Sequence, residues 1–306
     1  MKTFLIRRIL ALVPVVFGVV TLVFFIIHAT PGDPVEIMLG ETASPADRDT
    51  LRKELGLDRP LVVQYITFIG AVATGDLGKS LFTNKGVAES IAERYPATVQ
   101  LALCSMALAI IIAIPLGVLA AARKNSAIDT GAMAVSLLGV SMPSFWIGPL
   151  LILVFSINLG WFPVAGRGGI ESLVLPSITL GTAMAAILSR LTRSTMIEAL
   201  DEDYIVTARA KGAPSMTILF RHALSNAILP VVTVAGLQMG ALLAGAIITE
   251  TIFAWPGIGR LTLQAITARD YPLAQGCVLT ISLSYVFVNL AVDIVYALVD
   301  PRIRYK

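Results

Sequence analysis

The chain has 306 residues, 56% of them hydrophobic and 14% charged, where an average soluble protein has about 25% charged. The charges cluster into a few segments between long apolar runs, which excludes a water-soluble globular fold and makes a bilayer the main solvent. The net charge of +3 has meaning only once it is divided between the two sides of that bilayer, and no nucleic-acid partner is expected.

A transmembrane helix needs roughly 20 mostly apolar residues. The first such stretch, Ile9 to His28, follows the basic residues Lys2, Arg7 and Arg8. A cleavable signal peptide starts in the same way. This run, however, is longer than the usual apolar core of roughly 7–15 residues, and it leads into Pro31-Gly32-Asp33-Pro34, not a small-residue cleavage site. His28 reads as an interfacial residue at the outer end of the span. The long loop from Ala29 to Val99 has helical spacing over Ala46 to Leu55 and Leu61 to Val72, with caps at Ser44-Pro45 and at Asp58 ahead of Pro60. Its aliphatic and aromatic content predicts a folded external cap, not a disordered tether. Within it, "ATGDLGKS", Ala73 to Ser80, fits a relaxed phosphate-binding loop with Ala in place of the first Gly. That chemistry needs a strand before the loop and a helix after it. Leu81-Phe82-Thr83-Asn84-Lys85-Gly86 reads as a turn, so ATP binding is not expected there.

Further apolar stretches follow at Gln100 to Ala122, Ala132 to Ile157, Leu173 to Leu191, Ile228 to Thr249 and Val278 to Val299, which makes six spans. Cys104 and Cys277 fall in or beside them without metal-ligand spacing and read as small buried hydrophobes, so no metal site is expected. Six spans put both termini on one side. That side holds Lys2, Arg7, Arg8, Arg123, Lys124, Arg190, Arg193, Arg209, Lys211, Arg221, Arg302, Arg304 and Lys306, whereas the short opposite loops hold Arg167, Arg260 and Arg269. The excess marks the terminal side as cytoplasmic; the first loop, at about 70 residues, is long enough to cross regardless of its charge.

Between spans four and five lies "EDYIVTARAKG", Glu202 to Gly212. Glu202 and Asp203 in its first turn and Arg209 and Lys211 in its last complement a helix dipole. Gly212 supplies a left-handed stop, and Pro214 begins a second helix. In that helix Met216, Phe220 and Leu224 form an apolar stripe flanked by Leu219 and Ala223, with Arg221 and His222 off it. Two capped helices are more than a loop needs in order to turn the chain. They are built to dock.

Span five carries Gly236-x-x-x-Gly240, continued by Ala241-x-x-x-Gly245, a small-residue pattern that lets helices approach closely. Gln238 lies between the glycines and should face protein or a water-filled path. After it, Trp255-Pro256-Gly257 and Arg269-Asp270-Tyr271-Pro272 predict an aromatic, turn-rich segment at the outer surface. Asp293, about two turns inside the cytoplasmic end of span six, needs a base such as Arg7 or Arg8, or water.

Residues 203–233, "DYIVTARAKGAPSMTILFRHALSNAILPVVT", resemble the cytoplasmic coupling segment of ABC-importer permeases of the dipeptide, oligopeptide, glutathione and nickel branch. The resemblance runs the length of the chain: "RRIL" and "HATPGDP" around span one, "LGLDRPL" and "GDLGKS" in the outer loop, "ETIFAWPGIGRL" and "RDYPLAQG" between spans five and six, and "NLAVDIVYALVDPRIRYK" at the end. The general importer pattern would put an acid at Val206. Here the acids sit at Glu198, Glu202 and Asp203, while Thr207, Ala208 and Gly212 fit.

The resemblance implies an all-α integral membrane protein of six transmembrane helices. A large external loop follows the first, and a cytoplasmic coupling helix-turn-helix lies between the fourth and fifth. Residues 1–95 would form the first span and external loop, and residues 96–306 a five-helix core with its coupling segment at 198–227. The ATPase-coupling residues would be Glu202, Asp203, Tyr204, Thr207, Ala208, Arg209, Ala210, Lys211 and Gly212, and Gly236, Gln238, Gly240 and Gly245 would serve the pathway or its helix packing. The chain would bind no cofactor and catalyse nothing itself; ATP and magnesium would sit on one or two kinds of partner ATPase subunit. Its other partners would be a second, homologous permease, an extracytoplasmic solute-binding protein and the bilayer of a bacterial inner membrane. The alternative, a stand-alone secondary transporter or channel, would need ion-coupling acids or an internal repeat. A membrane enzyme would need a clustered catalytic set.

Overall fold

The computed structural model describes residues 2–29, 34–40, 44–54 and 56–299, and the regular structure among them is helical apart from one bridge between Lys79 and Gly86. In chain order the helices are α1 (Lys2–Ala29), α2 (Pro34–Leu39), α3 (Pro45–Glu54), α4 (Leu61–Thr74), α5 (Val87–Ala122), α6 (Ala127–Ser141) and α7 (Ser144–Leu151), the last continuing as a π-helix over Ile152–Asn158. There follow α8 (Glu171–Leu200), α9 (Asp203–Ala210), and α10 (Ser215–Thr217), which passes through a π-helix at Ile218–Ala223 into α11 (Leu224–Leu243). The chain ends with α12 (Ile247–Ile252), α13 (Ile258–Ala268) and α14 (Tyr271–Val299). Four helical stretches among the described residues, within α5, α8, α10–α11 and α14, are long and apolar enough to cross a membrane, or five if the bent pair α6–α7 is one span. α1 has 28 residues with an apolar stretch over Leu12–Phe25. The span expected over Ile9 to His28 includes side chains outside the described residues, as do Arg7 and Arg8, the expected partners of Asp293.

The helices divide into two compact units. One comprises Met1–Thr98 with Pro256–Val286, the other Val99–Trp255 with Phe287–Lys306. In the first, Val87 and Ile91 of α5 pack with Ile258, Leu261 and Ala265 of α13 and Leu273, Ala274 and Cys277 of α14. Ser44 caps α3 by accepting from the Asp47 amide at 3.2 Å, as expected, but α4 is preceded by Pro60 with no side-chain cap, so Asp58 does not serve there. Against α1, Tyr65 hydrogen-bonds Thr21 at 2.7 Å, and His28, stacked on Phe24, reaches Gln64 at 3.2 Å.

In the second unit, α8 forms a buried centre. Gly117 and Gly181 mark where α5 and α8 touch: a Cβ at Gly117 would lie 2.7 Å from the Ser189 carbonyl oxygen, and one at Gly181 would lie 2.9 Å from that of Ser105. α6 runs along α8, tied by Arg193 to Asp129 and by a 2.8 Å hydroxyl pair between Ser136 and Ser189. The third expected span, Ala132 to Ile157, is not straight: α6 and α7 meet at 97°. Pro143 forces the residue before it out of the helical region, and Met142 duly has φ −90° and ψ 117°. The helix over the fifth expected span also ends earlier than expected. α11 ends at Leu243, and Gly245, at φ +95°, turns the chain, so the second half of the small-residue pattern ends the helix where close packing was expected.

The turn-rich segment after α12 corrects a further expectation. Trp255 is wholly buried, not surface-facing. Ala254 takes φ +46° and the Trp255 amide donates to the Glu250 carbonyl at 2.8 Å, which closes α12 and folds the indole under Arg167, whose guanidinium lies 5.9 Å from the ring centroid.

Candidate functional site

The segment from Glu202 to Leu224 forms as the local sequence dictates. Glu202 precedes α9 in extended conformation, and Asp203 and Arg209 occupy its first and last turns, each at the helix end that suits its charge. At the other end the Ala213 amide donates to the Ala208 carbonyl at 3.2 Å and the Gly212 amide to that of Arg209 at 2.9 Å. This is a Schellman stop, and it requires the left-handed φ of +78° that Gly212 adopts. Lys211 lies at the C-cap just beyond the helix. Pro214, extended at φ −61° and ψ 148°, starts α10.

What fastens this segment is Ile205. Its side chain is completely buried among Val118 and Ala121 of α5, Met196 and Ala199 of α8, and Ile218, Ala223 and Ala227 beyond the turn. Burying an isoleucine side chain contributes about 1.5–3 kcal/mol. That single anchor leaves the rest of α9 facing outward: Glu202, Asp203, Tyr204, Val206, Thr207, Arg209, Ala210, Lys211 and Gly212 are exposed and Ala208 is half-buried. The Thr207 hydroxyl is spent on the Asp203 carbonyl at 3.1 Å.

The stripe expected along the second helix is corrected. Its inner face is Ile218 and Ala223 with Leu219 and Leu224 beside them, whereas Met216 is 69% and Phe220 51% exposed. The π-turn at Ile218–Ala223 adds a residue to the local period and rotates the stripe. Tyr204, Val206, Met216 and Phe220 are thus large apolar side chains left uncovered on a short helix-turn-helix that is closed by the Schellman stop at Gly212. Sequence reasoning missed Ile205 because Tyr204, Ile205 and Val206 form an apolar trio in which nothing local selects the one that turns inward.

The second set of residues lies on α11. Gly236 is buried where a Cβ would come within 2.1 Å of Val292 Cγ2, so it is a close-approach position between α11 and α14. Gly240 is buried as well. Gln238 Oε1 is enclosed without a hydrogen-bond partner among the described residues. Gly245 stands apart from them, beyond the end of the helix.

The stretch resembling a phosphate loop is neither strand nor helix start. Residues 79–86 close as a turn around the Lys79–Gly86 bridge, and Ser80 is buried against Asp270.

The fold is similar to that of a chain in solved structures of an ABC transporter. Two crystal forms of the inward-facing MetNI methionine ABC transporter match at TM-scores of 0.57 and 0.59, each with 19% identity, over 69% of this chain and 96% of theirs. Residues 113–305 match the family described as binding-protein-dependent transport system inner membrane component, and residues 1–102 match the N-terminal model of the same systems. The chain belongs to that family of inner-membrane permease components. It is 44% identical over its full length to the di/tripeptide transport system permease protein DppB of Pseudomonas aeruginosa (strain UCBPP-PA14), which it covers completely. It is 42% identical to the glutathione transport system permease protein GsiC of Escherichia coli (strain K12) and 44% identical to the dipeptide transport system permease protein DppB of that strain, again with both chains fully covered.

Proposed function

We propose that the chain is one of two permease halves of an ATP-driven, binding-protein-dependent importer of small peptides, of the dipeptide, oligopeptide or glutathione type. It spans the inner membrane six times with both termini in the cytoplasm. The observation that carries this reading is the helix-turn-helix at Glu202 to Leu224: a rigid element pinned by Ile205, stopped at Gly212, and presenting Tyr204, Val206, Met216 and Phe220 to a partner. An ATPase subunit that grips such an element can drive the spans between inward-open and outward-open states through its different affinities for the two. ATP and magnesium belong to those partner subunits, of which one or two kinds bind. The folded loop of α2 to α4 and the segment around α13 receive the solute-binding protein. The buried face of Gly236 and Gly240, with Gln238 between, packs the translocation path against its neighbours.

The test is a mild-detergent pull-down of the tagged chain from its own host, compared with Gly212→Val. Wild type is expected to bring down a second permease and an ATPase, and the variant to lose the ATPase alone. A wild-type chain that purifies by itself and moves solute in liposomes without ATP would instead establish the stand-alone transporter.

A further inference from the structure

Between α6 and α8 runs an open cleft of about 670 Å³. Its walls are Met133, Leu137 and Val140 at i, i+4 and i+7 on α6, facing Ile187 and Leu191 on α8. Arg190, Arg193 and Ser194 close one end. The two arginines differ. Arg193 is bound in fork geometry by Asp129, at 2.5 and 2.7 Å, so its charge is already matched. Arg190 is exposed and has no counter-ion among the described residues. Leu137, 57% exposed, and Ile187, 44% exposed, line the apolar part of the cleft below it.

We propose that this cleft is a binding site for an anionic phospholipid, its acyl chain along Leu137, Val140 and Ile187 and its phosphate on Arg190. An apolar trough with one unmatched cation at its end is complementary to an amphiphile with a single anionic head. A helix from another protein would match Arg190 only if it carried an acid at that end of the trough. Arg190 lies 19 positions from Glu171, where α8 begins, which is about 28 Å along a helix and close to the thickness of a hydrocarbon core. The proposed orientation puts that end of α8 on the cytoplasmic side. Basic pockets between transmembrane helices on that side recognise lipid headgroups, each near-surface Arg contributing roughly fivefold in affinity.

The site goes beyond the importer function and uses only its proposed orientation. The test is native mass spectrometry of the assembled complex, delipidated and then titrated with phosphatidylglycerol or phosphatidylcholine, comparing wild type with Arg190→Gln and Leu137→Trp. Wild type is expected to retain phosphatidylglycerol in preference. Arg190→Gln should lose about fivefold of that preference, and Leu137→Trp, which fills the trough, should retain neither lipid at this site. Equal retention of both lipids by wild type and Arg190→Gln would overturn the proposal. So would disulfide cross-linking of Leu137→Cys to a cysteine placed in the second permease, or competition for the cleft by a transported peptide. Lipid retention is read without ATP or transport, so its failure is distinct from failure of the importer reading.

Discussion

Ser80 and Asp270 lie 190 positions apart in the chain, yet the Ser80 hydroxyl donates to Asp270 Oδ2 at 2.5 Å, and both side chains are buried. The same carboxylate accepts from the Leu81 amide at 3.2 Å and the Leu273 amide at 3.3 Å, so one aspartate ties the turn after Gly78 to the start of α14. Replacing Ser80 by Ala removes the shortest of these bonds from a buried charge-assisted set. The expected cost is about 1.5–3 kcal/mol, read as a lower melting temperature in detergent and faster proteolysis within residues 75–86. A melting temperature equal to that of wild type would show that the two backbone amides alone hold the carboxylate.

Ile205→Ala should separate coupling from folding. A buried isoleucine cut to alanine costs about 2–5 kcal/mol where the site cannot collapse, and here the loss falls on the one anchor of α9. The variant is expected to insert normally, to exchange its α9 amides faster, and to lose most solute-stimulated ATP hydrolysis in the assembled complex. Unchanged amide protection over Asp203–Ala210 would mean that α9 is held by other contacts.

Gly236→Ala introduces a methyl where Val292 already stands. Overpacking of this kind typically costs about 1–3 kcal/mol. The double variant Gly236→Ala with Val292→Ala should regain most of the loss, because the collision is between those two side chains. A thermal scan of the two single variants and the double variant checks this. If the second substitution adds to the damage instead of relieving it, the α11–α14 contact is not what limits position 236.

Asp129 and Arg193 form a pair in which each member justifies the other. Asp129→Asn and Arg193→Leu should each lower the melting temperature of the purified chain, with Arg193→Leu the more damaging because it leaves a carboxylate buried without its cation. The exchange Asp129→Arg with Arg193→Asp should recover part of the loss, and a melting temperature no better than the worse single variant would show that fork geometry, and not charge, is what matters.

Much of this could be read along the chain. The signals that bound α9, Glu202 and Asp203 at its start and Gly212 and Pro214 after it, act over four or five residues and were legible for that reason. The bend between α6 and α7 also had a local signal, Met142 before Pro143, though the apolar run across it suggested a single span. Other features had none. Trp255 is buried beside Arg167, which comes from a loop some 90 positions earlier in the chain. The inward turn of Ile205 depends on α5, α8 and α11 meeting beneath it.

By itself the sequence determined that the chain is helical, that it lies in a membrane, where α9 starts and stops, and, through long motifs in order, the family to which it belongs. These are properties of windows of a few to some twenty residues, set by hydrophobicity and capping. Only the tertiary structure decided which faces meet. In a bilayer, lipid is as apolar as a neighbouring helix, so hydrophobic pattern does not select the buried side. That choice falls to close approach, as between Gly236 and Val292, and to polar pairs, as between Ser136 and Ser189 or Asp129 and Arg193, whose partners are far apart until the chain is folded.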